Sequence, residues 1–465
     1  MTMHGYIIRL IVNTDGIPLN YYPILKINDF STFPVGFHTI GALVSIASEM
    51  PAYRSALFCS CLVYFLFSMF LFIFLKNYCG RFSAALSVLF FSFFIKNPQM
   101  FFEWGGTPTI LAFVLFIYFI YQIQFYSETP NVYFASLSLA AIFLTHTIIF
   151  IQSVYIFGIT YLFCFFFLRK STAYNLKKNA LISICFFIFL IPYLLNINYN
   201  IAETASVELL KDWIRNQRHS WKGDYKNFIF SVPLYIFENL NADSIFNIYF
   251  ACCLFGFFLL MKKNFAESIK YLIFLIVIIL LIVNTRYWFL PLSYLIYPER
   301  TAVMAAVSLC IFFAIFLEYF FKCLKIFVNE KINIFLRATT LIIIICLIFH
   351  YNNIYYLLPA KRFDFLRSND LEAFKWLEKN TKQDDVIASD YSAPAYWIPA
   401  VIMRPVTRCH INGMYELKIE QNVNPKYIYL TEKSDTEIIR MNIDIKKTLY
   451  NKNNVRIISL TQKLR

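Results

Sequence analysis

Charge and histidine are both scarce in this sequence, and each scarcity removes a class of explanation. Charged residues make up 15% of the 465, against 59% hydrophobic and 20% aromatic, with 53 Phe and 32 Tyr. That leaves too little polar surface for an ordinary soluble domain, and apolar runs long enough to cross about 30 Å of hydrocarbon recur through the first three quarters. Among the 6 histidines no two have metal-ligand spacing. The 11 cysteines fall almost wholly inside apolar runs, as Cys59, Cys61, Cys252 and Cys253 do, with Cys409 alone in the tail. They supply neither a disulfide framework nor a metal set, and read as small buried hydrophobes.

Acidic residues are outnumbered 28 to 42, for a net charge of +14. In a soluble protein that balance suggests nucleic acid, but here the basic residues sort by side of a membrane, and no nucleic-acid partner is expected. Apolar runs lie near 53–75, 82–95, 107–123, 131–145, 148–168, 179–195, 245–261, 270–284, 301–321 and 335–350. If the first passes from outside to inside, the cytoplasmic loops carry Lys76 and Arg81, Arg169, Lys170, Lys177 and Lys178, then Lys262, Lys263 and Lys270, then Lys322, Lys325, Lys331 and Arg337. The short outer loops hold little beyond Lys96, Arg286 and Arg300. The expected architecture is mainly α, a polytopic membrane helix bundle of about ten spans in the cytoplasmic membrane, with a small C-terminal α/β domain on the external side.

Three regions follow. Residues 1–52 form an external loop with two amphipathic surface helices around a Pro-rich turn, too short to span and too apolar to float free. Residues 53–350 form the transmembrane bundle, with an external loop at 196–244. Residues 351–465 form the external α/β domain, where "NDLEAFKWLEKNT" predicts a helix capped at Asn369 or Asp370, and "DVIAS", "KYIYL" and "VRIISL" predict short strands. This tail has no Gly-rich phosphate loop, no Ser/His/Asp set and no zinc spacing.

The chemistry-bearing candidates lie in the outer loops. In "FFEWGGTPTIL", Glu103 is a carboxylate at the interface, and an acid in or near hydrocarbon is a functional suspect. Thr107 behind it can cap the next helix, with Pro108 in the first turn, leaving backbone N–H groups aimed outward for an anion such as phosphate. A base for an acceptor hydroxyl beside donors for a departing phosphate is what a transfer reaction needs; a well-capped membrane helix with an interfacial Glu is the plainer account. Arg300, in "YPERTAVMAAV", offers a fork of donors for phosphate, or a surface pair with Glu299. His146, in "FLTHTIIF", and His38, in "FPVGFHTIGAL", are binding candidates that also read as satisfied interfacial histidines. In the 196–244 loop, Arg215, Arg218 and Trp221 suit contact with an anionic ligand, or a solvated amphipathic helix.

Taken in order, these segments resemble a GT-C type membrane glycosyltransferase. "HGYIIRLIVNTDGIP" and "FPVGFHTIGALVS" look like the two surface helices of its first external loop, and "EWGGTPTILA" resembles its second. "LTHT" matches the polar hairpin, and "YPERTAVMAA" the arginine entering a late helix. "FKWLEKNTKQDDVIASDYSAPAYWIPAVIMRPV" is similar to the start of its external domain. The resemblance implies transfer of a sugar from a polyprenyl-phosphate carrier to a glycan, lipid or protein acceptor on the outer face. It implies inversion at the sugar carbon, and a lipid-linked sugar donor. No cofactor is required by the residues; a divalent cation, Mg or Mn, is used by some members and stays open, with no metal ligands assigned. The usual base of that family is an acid at the outer end of a first transmembrane helix, a position that would fall at or before Met1, so the expectation is either an N-terminally incomplete form of such an enzyme or a member that has lost its first helix and with it its activity. Asp15 and Asp29 are the nearby substitutes, although "NTDGIP" and "NDFS" are also ordinary turns. Two other classes stay open: a transporter or polymerase of polysaccharide precursors, which would predict repeats or Gly/Pro-broken helices at the midplane, and a catalytically inactive membrane scaffold.

Overall fold

A computed structural model describes residues 2–18, 21–22, 34–94, 106–124, 131–168, 176–200, 245–287, 296–352, 366–389, 397–406, 410–411, 415–416, 426–430, 448–452 and 455–459. The chain divides into two compact units, one formed by Met1–Ser60, Tyr199–Thr204 and Ile354–Arg465, the other by Cys61–Asn198 and Ala205–Asn353.

The second unit is a bundle of long apolar helices. Helices α3 (Ala52–Leu75), α4 (Arg81–Phe94), α5 (Thr107–Gln124), α6 (Val132–Thr145), α7 (Thr147–Leu168) and α8 (Leu176–Asn200) are followed by α9 (Ile245–Lys263), α10 (Phe265–Tyr287), α11 (Pro298–Phe327) and α12 (Glu330–Asn352). Of these, α3 begins, and α8 ends, within the first unit. The ten apolar runs of the sequence thus all become helices, with ends shifted by a few residues. Among the described residues three stretches are long and apolar enough to cross a membrane: Ala52–Leu75, Phe265–Asn284 and Arg300–Phe327. Large apolar side chains such as Phe187 and Ile188 of α8, Phe255 and Phe258 of α9 and Phe335 and Ile342 of α12 are exposed. In water such a surface would drive association, whereas lipid tails cover it without cost, and the chain is a membrane protein.

Helix α11, 30 residues long, is the axis of this unit and packs against α4, α9, α10 and α12. Its contact with α9 is backbone-close: a Cβ placed on Gly256 would collide with the main-chain carbonyl of Phe312. A small residue at such a crossing lets two helices approach closely, which is how membrane helices gain packing energy without a hydrophobic driving force. Near the far end of α11, Glu318 caps a neighbouring helix. Its carboxylate accepts from the Gly80 N–H and the Ser83 hydroxyl, each at 3.0 Å, and pairs with Lys322 at 3.2 Å. The acid thereby satisfies donors at the start of α4 that have no partner within that helix.

In the first unit, α1 (Thr2–Thr14) and α2 (Gly36–Ser48) join α13 (Ser368–Asn380), α14 (Ile398–Ile402) and two sheets. The larger sheet runs β1 (Ile387–Ser389), β4 (Tyr427–Leu430), β6 (Val455–Ser459), β5 (Thr448–Lys452); β1 and β4 are parallel and the other pairs antiparallel. Strands β2 (His410–Ile411) and β3 (Tyr415–Glu416) pair separately. The core is shared between the two ends of the chain: Tyr6, Ile7, Ile8 and Leu10 of α1 are buried with Phe374, Leu377, Ile398, Tyr429 and Ile457. Arg9 adds an ion pair to Glu378 at 3.1 Å. Buried Arg404 donates to the carbonyls of Glu378 and Thr381, closing the last turn of α13. The predicted cap of α13 is displaced: the helix starts at Ser368, so Asn369 and Asp370 lie in its first turn, and Asp370 reaches back to the Arg367 N–H at 2.8 Å. Its other oxygen accepts from the Tyr429 hydroxyl at 2.5 Å, and that long-range bond, invisible in local sequence, favours the shifted start.

Candidate functional site

Helices α6 and α7 are joined by a single residue, His146, whose backbone is extended at φ −161, ψ 94. Its N–H closes α6 on the Ile142 carbonyl at 2.8 Å, and its own carbonyl opens α7 by accepting from Phe150 at 3.0 Å. With no spare residues in the joint, the imidazole is held at the first turn of α7. There Nε2 lies 3.0 Å from Nη1 of Arg300, which enters from the start of α11. The two residues are 154 positions apart in the chain, and the structure brings them together.

The start of α11 is firmly built. Tyr297 is the extended capping residue and Pro298 occupies the first turn, where its missing N–H costs nothing. Buried Gln152 of α7 donates to Thr301 Oγ1 at 2.9 Å and to the Tyr297 carbonyl at 3.4 Å, and Thr301 Oγ1 donates to that same carbonyl at 2.9 Å. This clasp ties the first turn of α11 to α7, so Arg300 is presented from a fixed frame. Its guanidinium carbon also sits 4.7 Å from the centre of the Tyr297 ring, a cation–π contact.

A permanent guanidinium and the starts of two helices, α7 and α11, put positive potential at one place, the arrangement that favours an anion. Burial, and then the charge of Arg300, hold the His146 imidazole well below its usual range, so it is neutral. One to two turns further along α11, Val303, Met304 and Val307 line an apolar pocket with Phe113 and Phe116 of α5 and Phe91 of α4. Spacings of three, four and seven residues place these side chains on the helix face that carries Arg300.

The remaining candidates are placed as follows. Thr107 is buried and is the first residue of α5; the Gly106 carbonyl accepts from the Thr109 and Ile110 N–H groups, so the capping place belongs to Gly106, one residue before the one predicted. Asp15 is exposed in the turn after α1 with φ 49, a left-handed conformation that Asp tolerates. Glu103, Asp29, Arg215, Arg218 and Trp221 lie outside the described residues. His38 is fully buried in the first unit, where its Nε2 meets His4 Nδ1 at 2.8 Å beside the edge of Phe37. Gln152 and His4 are not among the residues singled out in the sequence. An amide inside the apolar run "FIQSVYIF" is the signal that could have found the first; nothing marks the second.

The His4–His38 contact has a pH consequence. Burial, then the nearby His4, push the pKa of His38 well below the ordinary value. An unfolded His takes up a proton near pH 6.5 while the folded one does not, so the stabilisation is complete above about pH 6.5 and is lost as pH falls toward the folded-state value. The slope for one proton is up to about 1.4 kcal/mol per pH unit. The thermal midpoint is therefore expected to fall between pH 7 and 5, and His38→Gln to flatten that dependence; an equal fall in both proteins would contradict it.

No protein-family model and no curated protein sequence matches the chain. Solved structures do. ArnT from Cupriavidus metallidurans bound to undecaprenyl phosphate superposes with a TM-score of 0.58 at 10% identity, over 98% of this chain and 93% of that one. The archaeal oligosaccharyltransferase AglB from Archaeoglobus fulgidus, in complex with an inhibitory peptide and a dolichol-phosphate, gives 0.55 at 11% identity, over 94% of this chain and 66% of that one. An Archaeoglobus fulgidus oligosaccharyltransferase complex with Zn and sulfate gives 0.55 at 13%, over 94% and 64%. The chain spans about two thirds of the length of these oligosaccharyltransferases. At such identities the likeness is one of fold, shared with ArnT and with these oligosaccharyltransferases. Among the described residues no group of three or more His, Cys, Asp or Glu side chains could hold a metal ion.

Proposed function

We propose that this protein is a glycosyltransferase of the outer face of the cytoplasmic membrane, moving a sugar from a polyprenyl-phosphate carrier to an acceptor hydroxyl or amide. The observation that carries this reading is the contact of Arg300 with His146 at the joined starts of α11 and α7, in a fold shared with proteins solved with dolichol-phosphate and undecaprenyl phosphate.

Arg300 holds the phosphate through its fork of donors, with the N-terminal turn of α11 adding to the field. Thr107 contributes its helix start on the same argument as before. Glu103 orients or deprotonates the acceptor, with Asp15 and Asp29 as the alternative carboxylates. The 196–244 segment, through Arg215, Arg218 and Trp221, covers the bound head group, and His38 stays a binding candidate of the first unit. The positive-inside charge pattern supports an external position for residues 351–465. The step breaks the bond between the anomeric carbon and the phosphate oxygen; fixed positive charge stabilises the departing phosphate, and no step is assigned to a metal.

The test is direct binding. The full chain in detergent is expected to bind undecaprenyl phosphate saturably, with competition by an unrelated phosphate-bearing prenyl lipid but not by the matching prenyl alcohol. Equal competition by the alcohol would remove the phosphate site.

A further inference from the structure

A neutral imidazole has one N–H and one lone pair, and at His146 both nitrogens face donors. Arg300 Nη1 lies 3.0 Å from Nε2. The backbone N–H of Ile149 lies 3.4 Å from Nδ1. Neither of these groups can accept a hydrogen bond, so one lone pair is asked to serve two donors. The shorter, charge-assisted contact takes it: Nε2 accepts from Arg300 and the ring proton sits on Nδ1, opposite the Ile149 N–H. That leaves a free donor of the first turn of α7 facing another donor, where a capping acceptor belongs.

We propose that His146 is a tautomer switch of the phosphate site, accepting from Arg300 when the site is empty and donating from the same nitrogen to a phosphate oxygen when a prenyl phosphodiester is bound. The inference rests on the reading of Arg300 as the phosphate contact. An arriving phosphate oxygen takes the Arg300 donor. The ring proton leaves Nδ1 and an equal one arrives at Nε2 by exchange with solvent, so the charge of the ring does not change. Nε2–H then donates to the phosphate, and the Nδ1 lone pair accepts from Ile149 as a normal helix cap. The Ile149 N–H then has an acceptor, whereas in the empty state it faces the ring N–H, whose own acceptor is the His146 carbonyl.

Uptake of a second proton is the competing route, and the surroundings oppose it. Arg300 already places a positive charge 3.0 Å away, and burial disfavours another. Helices α5 and α6 carry no charged residue. On α10, which packs against α7, the charged residues are Glu267, paired with Lys270, and Arg286, and on α11 Glu299 precedes Arg300. On α8, which stacks Phe186 on Phe150 of α7, the described charge is Lys178.

The experiment is nitrogen NMR of the full chain, labelled with 15N-histidine and held in lipid, with and without farnesyl-phosphoryl-hexose. This probe is a phosphodiester with no group of its own titrating near neutral pH. The His146 signals are identified by their loss in His146→Asn. Without probe, Nε2 is expected to give the lone-pair signature and Nδ1 the protonated one; with probe the two exchange roles. The same tautomer in both states, or an imidazolium in the filled state, would overturn the switch while leaving the phosphate site standing. Failure of the probe to bind would overturn both. The variants add a readout that packing alone would not move. His146→Asn keeps a cap for the Ile149 N–H but has no donor at the Nε2 place, so it should retain its thermal midpoint and bind the probe about ten-fold more weakly. His146→Gln, whose amide reaches that place, should recover most of the loss. Wild-type affinity in His146→Asn would contradict the proposal.

Discussion

Replacing Arg300 by alanine is expected to weaken binding of undecaprenyl phosphate about a hundred-fold while leaving the thermal midpoint nearly unchanged. Charge-assisted hydrogen bonds are worth about 1.5–3 kcal/mol each, and a bidentate fork on a phosphate makes two, so a loss of about 3 kcal/mol is a moderate reckoning. The fold should tolerate the change because the start of α11 is held by Gln152, Thr301 and the Tyr297 carbonyl, none of which depends on the guanidinium. Arg300→Lys retains the charge but loses the fork and the flat contact with the Tyr297 ring, and should fall between the two, about ten-fold below wild type. Isothermal calorimetry in detergent reads both. Equal affinity in wild type and Arg300→Ala would move the phosphate elsewhere.

The largest effect on stability is expected from a single methyl group. Gly256→Ala places a Cβ against the main-chain carbonyl of Phe312, and that carbonyl belongs to the mostly buried α11. Backbone cannot turn aside as a flexible side chain can, so α9 must separate from α11 or the helix must bend. Overpacking of this kind costs about 1–3 kcal/mol, and the backbone contact puts Gly256→Ala at the upper end. Gly158→Ala is the internal control: a Cβ there meets nothing within 4 Å, and within α7 alanine is the better helix former. Thermal midpoints should therefore drop for the first and hold or rise slightly for the second. If both variants melt alike, the α9–α11 crossing is not as close as described.

How far the sequence reached depends on which interactions are local. A run of some twenty apolar residues has one stable solution in lipid, a helix that satisfies its own backbone, and so each apolar run from 53–75 to 335–350 is a helix in the structure. The tail strands at Ile387–Ser389, Tyr427–Leu430 and Val455–Ser459 were legible for the same local reason, being short β-branched and aromatic runs between turns. Long-range pairing was not legible. Arg300 and His146 could be named singly, but nothing in "LTHT" or "YPERTA" says that they meet. The apolar face of α1 was ambiguous in a deeper way: Tyr6, Ile7, Ile8 and Leu10 would show the same periodicity against lipid as against protein. The structure assigns them to a core shared with Phe374 and Ile457. Glu318 escaped notice because an acid near Lys322 looks like a surface pair, and its role at Gly80 and Ser83 needs a partner 238 positions away.

The central claim is sugar transfer from a prenyl phosphate carrier, and the most direct measurement is a turnover assay with the full chain in lipid. A panel of undecaprenyl-phosphoryl sugars, radiolabelled in the sugar, would be incubated with membranes or extracts that supply acceptors, and release of unlabelled undecaprenyl phosphate would be followed together with the fate of the label. The account predicts that at least one donor loses its sugar to an acceptor at a rate that Arg300→Ala and Glu103→Gln both reduce by a hundred-fold or more, on the order expected for loss of phosphate stabilisation or of a general base. Saturable binding of the carrier with no transfer from any donor, unchanged by either substitution, would contradict it and favour a protein that carries or organises the lipid rather than one that cleaves it.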